Sequence, residues 1–310
     1  MKKVIGLCAA LVALLALTAA PAGADVHAEA SPLCADPAFD SVAALTSAGA
    51  SARSADTARE PSLDVTYESL PASAQGKAGK GFRTTVPLWF HVITDGAAGD
   101  VTQAQIDEQL TVLNLAFAGF YGGAPSGFKF KLAGVTRTNN AEWFHARAGS
   151  LEERRMKKAL RRGGWDTLNV YSSTADVYLG WAYLPGLPAA QQYLDGIVFD
   201  WESMPGTSTR YAARYDLGMT LVHEAGHWLN LEHTFYGGCT PKGDYVDDTP
   251  AMLVPTSGCP VGEGKDTCPK LPGLDPIHNY MDYSYDACYN QFTPGQVARA
   301  RDSWLYFRAA

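Results

Sequence analysis

Basic charge is scarce in this chain: 25 Lys and Arg stand against 32 Asp and Glu in 310 residues, a formal net charge of -7. An acidic protein of this kind is a poor partner for nucleic acid or an anionic membrane surface, so both are set aside. Long apolar runs are equally scarce. The one present, Val4–Ala20, follows Lys2 and Lys3 and precedes Ala22-Gly23-Ala24, the order of a secretory signal cut after Ala24. It is short for a bilayer span of about 20 residues, and Pro21 and small residues close it, which favours export over a membrane anchor. No second segment is apolar enough to cross a membrane, and no internal repeat is visible. Charged residues make up only 18% against 46% hydrophobic, a core-forming composition rather than a disordered one.

Cysteine is sparse too. Cys8 lies in the apolar run and leaves with it; Cys34 is alone, and Cys239, Cys259, Cys268 and Cys288 cluster in a stretch rich in Gly and Pro. In an exported protein four clustered cysteines imply two disulfides, whose connectivity spacing alone leaves open among three pairings.

Residues 25–81 are rich in Ala and Ser with few large apolar residues, and read as a pro-segment or leader, with Gln75–Gly81 an exposed joint. A single folded domain is expected over 82–310. Thr84–Ile93 is a run of β-branched and aromatic residues, a strand whose Pro87 argues for its start or a sheet edge. Thr102 and Gln105 form a capping box, followed by Ile106, Leu110, Leu113, Phe117 and Phe120 as one apolar helical stripe. Phe128–Val135, Leu168–Tyr171 and Gly196–Phe199 are further strands. Ser150 and Glu153 cap a helix over Leu151–Arg162 whose six Lys and Arg read as a solvated face rather than an anion site. From about residue 237 to 290, Gly, Pro, Asp and Cys dominate, and Thr293 with Pro294 opens a last helix.

The decisive stretch is His223-Glu224-Ala-Gly-His227-Trp-Leu-Asn230-Leu-Glu-His233. Asp216 is the expected N-cap, and Leu217, Leu221, Ala225 and Trp228 mark a buried helical face. His223 and His227, four apart, share one face of that helix, suitable for one tetrahedral zinc. Glu224 then stands beside the metal, where it can act as a base on an activated water. His233 reaches the same point only if the chain turns sharply near Asn230. Three protein ligands leave a fourth position open, the mark of a catalytic rather than a structural site. His91, His145 and His278 are read as structural or surface residues.

This pattern resembles the elongated zinc motif of the metzincins, with Asn230 where the motif has Gly. Asn is the commonest substitute for Gly in the left-handed conformation that the turn needs. Asn279-Tyr280-Met281-Asp282-Tyr283 is similar to a metzincin Met-turn. Within the metzincins the chain resembles the pappalysin family, with its ulilysin-like bacterial members. The resemblance is carried by His233-Thr-Phe, Gly237-Gly-Cys239, Gly243–Pro250 and the Met-turn with its trailing Cys288, and covers about residues 82–308.

It implies an α/β fold: an upper subdomain, 82–230, with a twisted mixed sheet backed by helices, and an irregular, disulfide-stapled lower subdomain, 231–310. It implies the pairing Cys239–Cys268 and Cys259–Cys288. Tyr283 matches the family tyrosine suited to donate to a developing oxyanion; the alternative is a packing tyrosine. Asp244, Asp247, Asp248 and Thr249 offer oxygen ligands where similar proteases hold calcium; the alternative is a solvated turn. Asp286 matches a wall position whose acid goes with basic residues after the scissile bond, the alternative being an exposed loop aspartate. Cys34, flanked by prolines, is a candidate thiolate switch lying across the metal site in the zymogen; the alternatives are a free thiol or an intermolecular bridge.

The expected function is a secreted zinc endopeptidase acting on proteins or peptides bound along a sheet edge, with Leu179–Tyr183 the candidate rim. The rivals are an inactive extracellular binding module on the same fold, against which the intact Glu224 argues, and a zinc enzyme acting on a non-peptide amide.

Overall fold

A computed structural model describes residues 70–309 except 176, 177, 209, 261 and 263. The signal peptide, most of the leader and Cys34 lie outside the described residues.

The domain is assembled on a five-stranded sheet. Strand β1, Thr84–Thr94, leads into helix α1, Gln103–Phe117, and strand β2, Phe128–Asn139. A single turn, α2 (Ala141–Phe144), and helix α3 (Leu151–Leu160) precede strands β3 (Leu168–Ser173), β4 (Gly180–Ala182) and β5 (Ile197–Asp200). Helix α4 is Met219–Trp228, and α5 is Pro294–Ser303. The spatial order is β2-β1-β3-β5-β4, parallel throughout except for β4, which runs antiparallel to β5 at one edge. This is the mixed sheet backed by helices that the resemblance implies.

The main core joins the apolar residues of β1, β3 and β5, such as Val86, Phe90, Val170 and Phe199, to α1 and α4. A second core lies on the opposite face, where Met156, Tyr171, Trp181 and Tyr183 pack together. Thr102 caps α1 with the expected box, and Thr293 caps α5 as expected, where Gln296 adds a box that was not foreseen.

Several expectations are corrected. β1 is an interior strand rather than an edge, while Pro87 sits near its start, the other placement expected of it, where it pairs with β2 alone because pairing with β3 begins at Leu88. There the missing N–H costs no ladder bond to a second neighbour. Phe120 lies beyond the end of α1 and is 71% exposed, so the apolar stripe stops at Phe117. Helix α3 ends at Leu160, and its basic face is not wholly solvated: Lys157 is buried against Glu153 at 2.9 Å. Gln75–Gly81 is exposed apart from half-buried Ala78, as expected of a joint, yet it and the residues before it are tied to the domain. Leu70 and Ala74 are buried, and the amides of Gly76 and Ala78 donate to Asp302 of α5 at 2.6 and 2.8 Å. Among the described residues, the end of the leader therefore contacts the domain from Leu70 onward.

His91 is structural. Its Nδ1 lies 2.7 Å from Thr136 Oγ1 and its Nε2 3.0 Å from Asn169 Oδ1, and burial pulls its pKa down to about 4. His145 meets Asp95 at the surface, and His278 donates through Nδ1 to the Cys288 carbonyl.

Candidate active site

Helix α4 carries the first two histidines beneath the edge of the sheet. Its N-cap is Gly218 in a left-handed conformation, not Asp216, and Leu217 is exposed rather than on the buried face. All ten residues of α4 are buried, because the sheet covers one side and the lower subdomain the other. The helix ends in a Schellman motif: Leu231 N–H donates to the Gly226 carbonyl at 3.0 Å and Asn230 N–H to that of His227 at 2.8 Å. Asn230 has φ 74°, the left-handed turn that the spacing of His233 demands. We expect Asn230→Gly to leave activity within about threefold of the parent. Asn230→Val, β-branched in a conformation disfavoured by about 1–2 kcal/mol even for simpler side chains, should lower zinc content and activity together by about tenfold or more. Dialysis against limiting zinc followed by elemental analysis checks it.

The turn brings three imidazoles to one point. The Nε2 atoms are 3.1 Å apart for His223 and His227, 3.2 Å for His223 and His233, and 3.0 Å for His227 and His233. His223 donates through Nδ1 to the Tyr280 carbonyl at 2.6 Å, and His227 to the Leu231 carbonyl at 2.8 Å. Those bonds place the proton on Nδ1 and aim the Nε2 lone pair of each ring into the shared space. Lone pairs that converge in this way repel one another unless a cation lies between them. A tetrahedral ion with bonds of about 2.0–2.1 Å spaces its donors by about 3.3 Å, so the residues present fit zinc. Burial holds the pKa of His227 down to about 4, which keeps that ring neutral and ready to ligate. Among the described residues this is the only group of three His, Cys, Asp or Glu side chains that converge closely enough to hold a metal.

Glu224 is 3% exposed and lies against strand β4. A Cβ on Gly180 would come 2.9 Å from both Cγ and Oε1 of Glu224, so glycine is what lets the strand pass this close. Beneath the histidines, Met281 packs under α4 against Gly226, where an added Cβ would overlap its sulfur. Thr234 N–H donates to the Met281 carbonyl at 3.1 Å, which ties the segment after His233 to the Met-turn. The Tyr283 hydroxyl lies 3.1 Å from His233 Nε2.

The helix, the turn, the third histidine and the supporting methionine thus occupy one compact site. The family model for pregnancy-associated plasma protein-A matches residues 165–304, the span from β3 to α5. An extracellular metalloprotease of Verticillium alfalfae is 44% identical over 278 residues, covering 86% of this chain and 95% of that protein. One of Arthroderma benhamiae is 45% identical over 232 residues, 73% of this chain and 74% of the relative. The chain belongs to the pappalysin family. Mature mirolysin of Tannerella forsythia, solved with a cleaved peptide, matches with a TM-score of 0.60 at 30% identity over 71% of this chain and 91% of that one. A promirolysin mutant from the same organism gives a TM-score of 0.62 at 28% identity, over 74% of this chain and 83% of that one. This pappalysin is an extracellular zinc metalloendopeptidase.

The lower subdomain has the two bridges that the resemblance implies, Cys239–Cys268 and Cys259–Cys288. They join the loop after the zinc helix to the segment before the Met-turn, and the next loop to the segment behind it. The acids at 244–248 serve separate purposes. Asp248 accepts from Thr293 Oγ1 at 2.7 Å and Gly295 N at 2.8 Å, at the start of α5. Asp247 is exposed. Asp244 is buried, accepts from Val246 N at 3.1 Å, and is pushed up to about 7 by burial. Asp286 is 1% exposed rather than an exposed loop residue; it accepts from Leu217 N at 2.9 Å and Met219 N at 3.4 Å, at the positive end of α4.

One support was not visible in the sequence. Arg308 donates from Nε to the Trp228 carbonyl at 3.0 Å, stacks 3.6 Å above the Trp228 ring, and binds Asp195 at 3.0 Å. Trp228 Nε1 donates to Asp195 Oδ1 at 3.1 Å as well. These residues steady the end of the zinc helix, yet 113 positions separate Arg308 from Asp195. No local pattern announces such a contact.

Proposed function

We propose that Glu224 is the general base of peptide hydrolysis and that a substrate peptide lies extended along β4. The observation that carries both is the placement of Gly180: the edge strand of the sheet passes directly over Glu224, beside the three converging imidazoles. Zinc, when bound by His223, His227 and His233, supplies a Lewis acid for the scissile carbonyl and lowers the pKa of water. Glu224 takes the proton of the attacking water and delivers it to the leaving amine. The Tyr283 hydroxyl, on the same side as His233 Nε2, is placed to donate to the oxygen that becomes negative. The peptide main chain pairs with the free edge of β4, as extended ligands do with exposed strands. An inactive binding module is a poorer reading, since it has no need of a buried carboxylate beside three converging imidazoles.

The proposal includes a preference for Arg, and next Lys, immediately after the cleaved bond. Its support is Asp286, a carboxylate shielded from water whose charge is held by two amides and is little screened. Calcium remains part of the proposal at Asp244, whose carboxylate is buried beside Thr249. Export through residues 1–24 and latency conferred by the leader complete it.

Digestion of a peptide library tests the proposal. The parent is expected to cut before Arg and Lys. Asp286→Asn keeps an acceptor for the two amides while removing the charge, and should reduce the basic preference over apolar residues by about tenfold. A profile dominated by apolar residues in the parent would refute the role of Asp286 and leave the hydrolytic reading intact.

A further inference from the structure

The rim strand over the catalytic base is only three residues long. β4 pairs with β5 through Gly180 with Phe199, Trp181 with Val198, and Ala182 with Ile197. So short a ladder does little to hold the strand at a set height, so its anchorage must come from side chains. Successive side chains of a strand face opposite ways. Gly180 and Ala182 share the face toward α4 and Glu224; Trp181 and Tyr183 face the second core.

Both of those aromatic side chains end on one carboxylate. Trp181 Nε1 donates to Glu153 Oε1 at 2.8 Å, and the Tyr183 hydroxyl donates to Oε2 at 3.0 Å. Gly149 N–H also donates to Oε2, at 2.7 Å, and Lys157 Nζ lies 2.9 Å from Oε1. Lys157 in turn donates to the Leu194 carbonyl at 2.9 Å and sits 4.3 Å above the Tyr183 ring. Glu153 and Lys157 are completely buried. A buried ion pair of this kind is weak evidence for stability, because apolar residues of equal volume often serve as well; its attested use is to fix one arrangement among several.

We infer that Glu153 is a positioning residue for substrate: through Trp181 and Tyr183 it holds the free edge of β4 at the height where an extended peptide pairs with it over Glu224. The inference rests on the reading that substrate adds to β4. Glu153 touches neither substrate nor metal. It acts on how much affinity a peptide gains as it lengthens along the rim.

The test uses the secreted, zinc-loaded enzyme after the leader has been removed, and a series of peptides from two to six residues around one scissile bond. Trp181→Phe combined with Tyr183→Phe removes both donors and keeps the Glu153–Lys157 pair, so the core stays filled. In the parent, kcat/KM is expected to rise at least about tenfold from the shortest peptide to the longest. In the double variant that gain should shrink by about fivefold or more, the worth of one to two hydrogen bonds, and the loss should lie in KM. Zinc content should match the parent, and the shortest peptide should lose less kcat/KM than the longest. Glu153→Asp, too short to reach both donors, should give the same signature if it folds. An equal fall on all peptides, or a gain with length that the double variant retains in full, would overturn the positioning role. A parent with no gain from length would instead overturn the strand-addition reading, and the inference with it.

Discussion

Glu224→Gln is expected to yield a folded, zinc-loaded protein whose peptidase activity is reduced by about a thousandfold or more. Glutamine has the same shape as glutamate, so it fills the same slot beneath Gly180, where Cγ and Oε1 lie close to the strand. The ligands are unaffected: His223 and His227 are set by the Tyr280 and Leu231 carbonyls, and His233 by the turn at Asn230. Only the ability to take and release a proton is removed. Zinc stoichiometry and the thermal midpoint should match the parent, while kcat collapses and KM changes little. Activity within tenfold of the parent would remove Glu224 from the proton transfers.

Chelation should have an effect as large on activity and an additional one on stability. With the cation withdrawn, three imidazole lone pairs are left facing one another at 3.0–3.2 Å in a buried space. Activity on casein should fall below about a thousandth of the starting value and return on adding zinc. Because the ion binds the folded chain, its loss should also lower the thermal midpoint by about 10 °C. The disulfides Cys239–Cys268 and Cys259–Cys288 survive chelation and keep the lower subdomain in place, so zinc should restore activity without refolding from the denatured state. An enzyme that works undiminished after exhaustive chelation would defeat the zinc assignment outright.

The residues proposed to act on substrate and the groups that support them come from different parts of the chain. His223, Glu224, His227 and His233 occupy eleven consecutive positions, so one helix and one turn bring them together. The groups that steady them come from elsewhere. Asp195 and Arg308 grip the end of the zinc helix, Asp286 meets its start, and Glu153 reaches the rim strand through Trp181 and Tyr183. Rigid support of this kind keeps a catalytic arrangement near its productive geometry.

Features that depend on neighbours along the chain are legible in the residues themselves. The four-residue spacing of His223 and His227 puts both rings on one helical face, and Asn230 supplies the left-handed residue that lets His233 return to it. Thr102 with Gln105 and Thr293 with Gln296 set helix starts through bonds spanning three residues. Family likeness added the sheet class and the disulfide pairing. Packing between distant segments settled that β1 runs inside the sheet, that Phe120 is exposed, that Lys157 is buried within a basic helix, and that Asp216 and Leu217 stand outside the zinc helix they were expected to open. It also decided that residues 70–81 pack on α5 and that Asp248 serves the start of that helix. The reason is one and the same. Capping, helical periodicity and left-handed turns are local and leave a pattern over a few residues, whereas burial and ion pairing depend on which surface the fold brings opposite, and that partner is tens to hundreds of residues away.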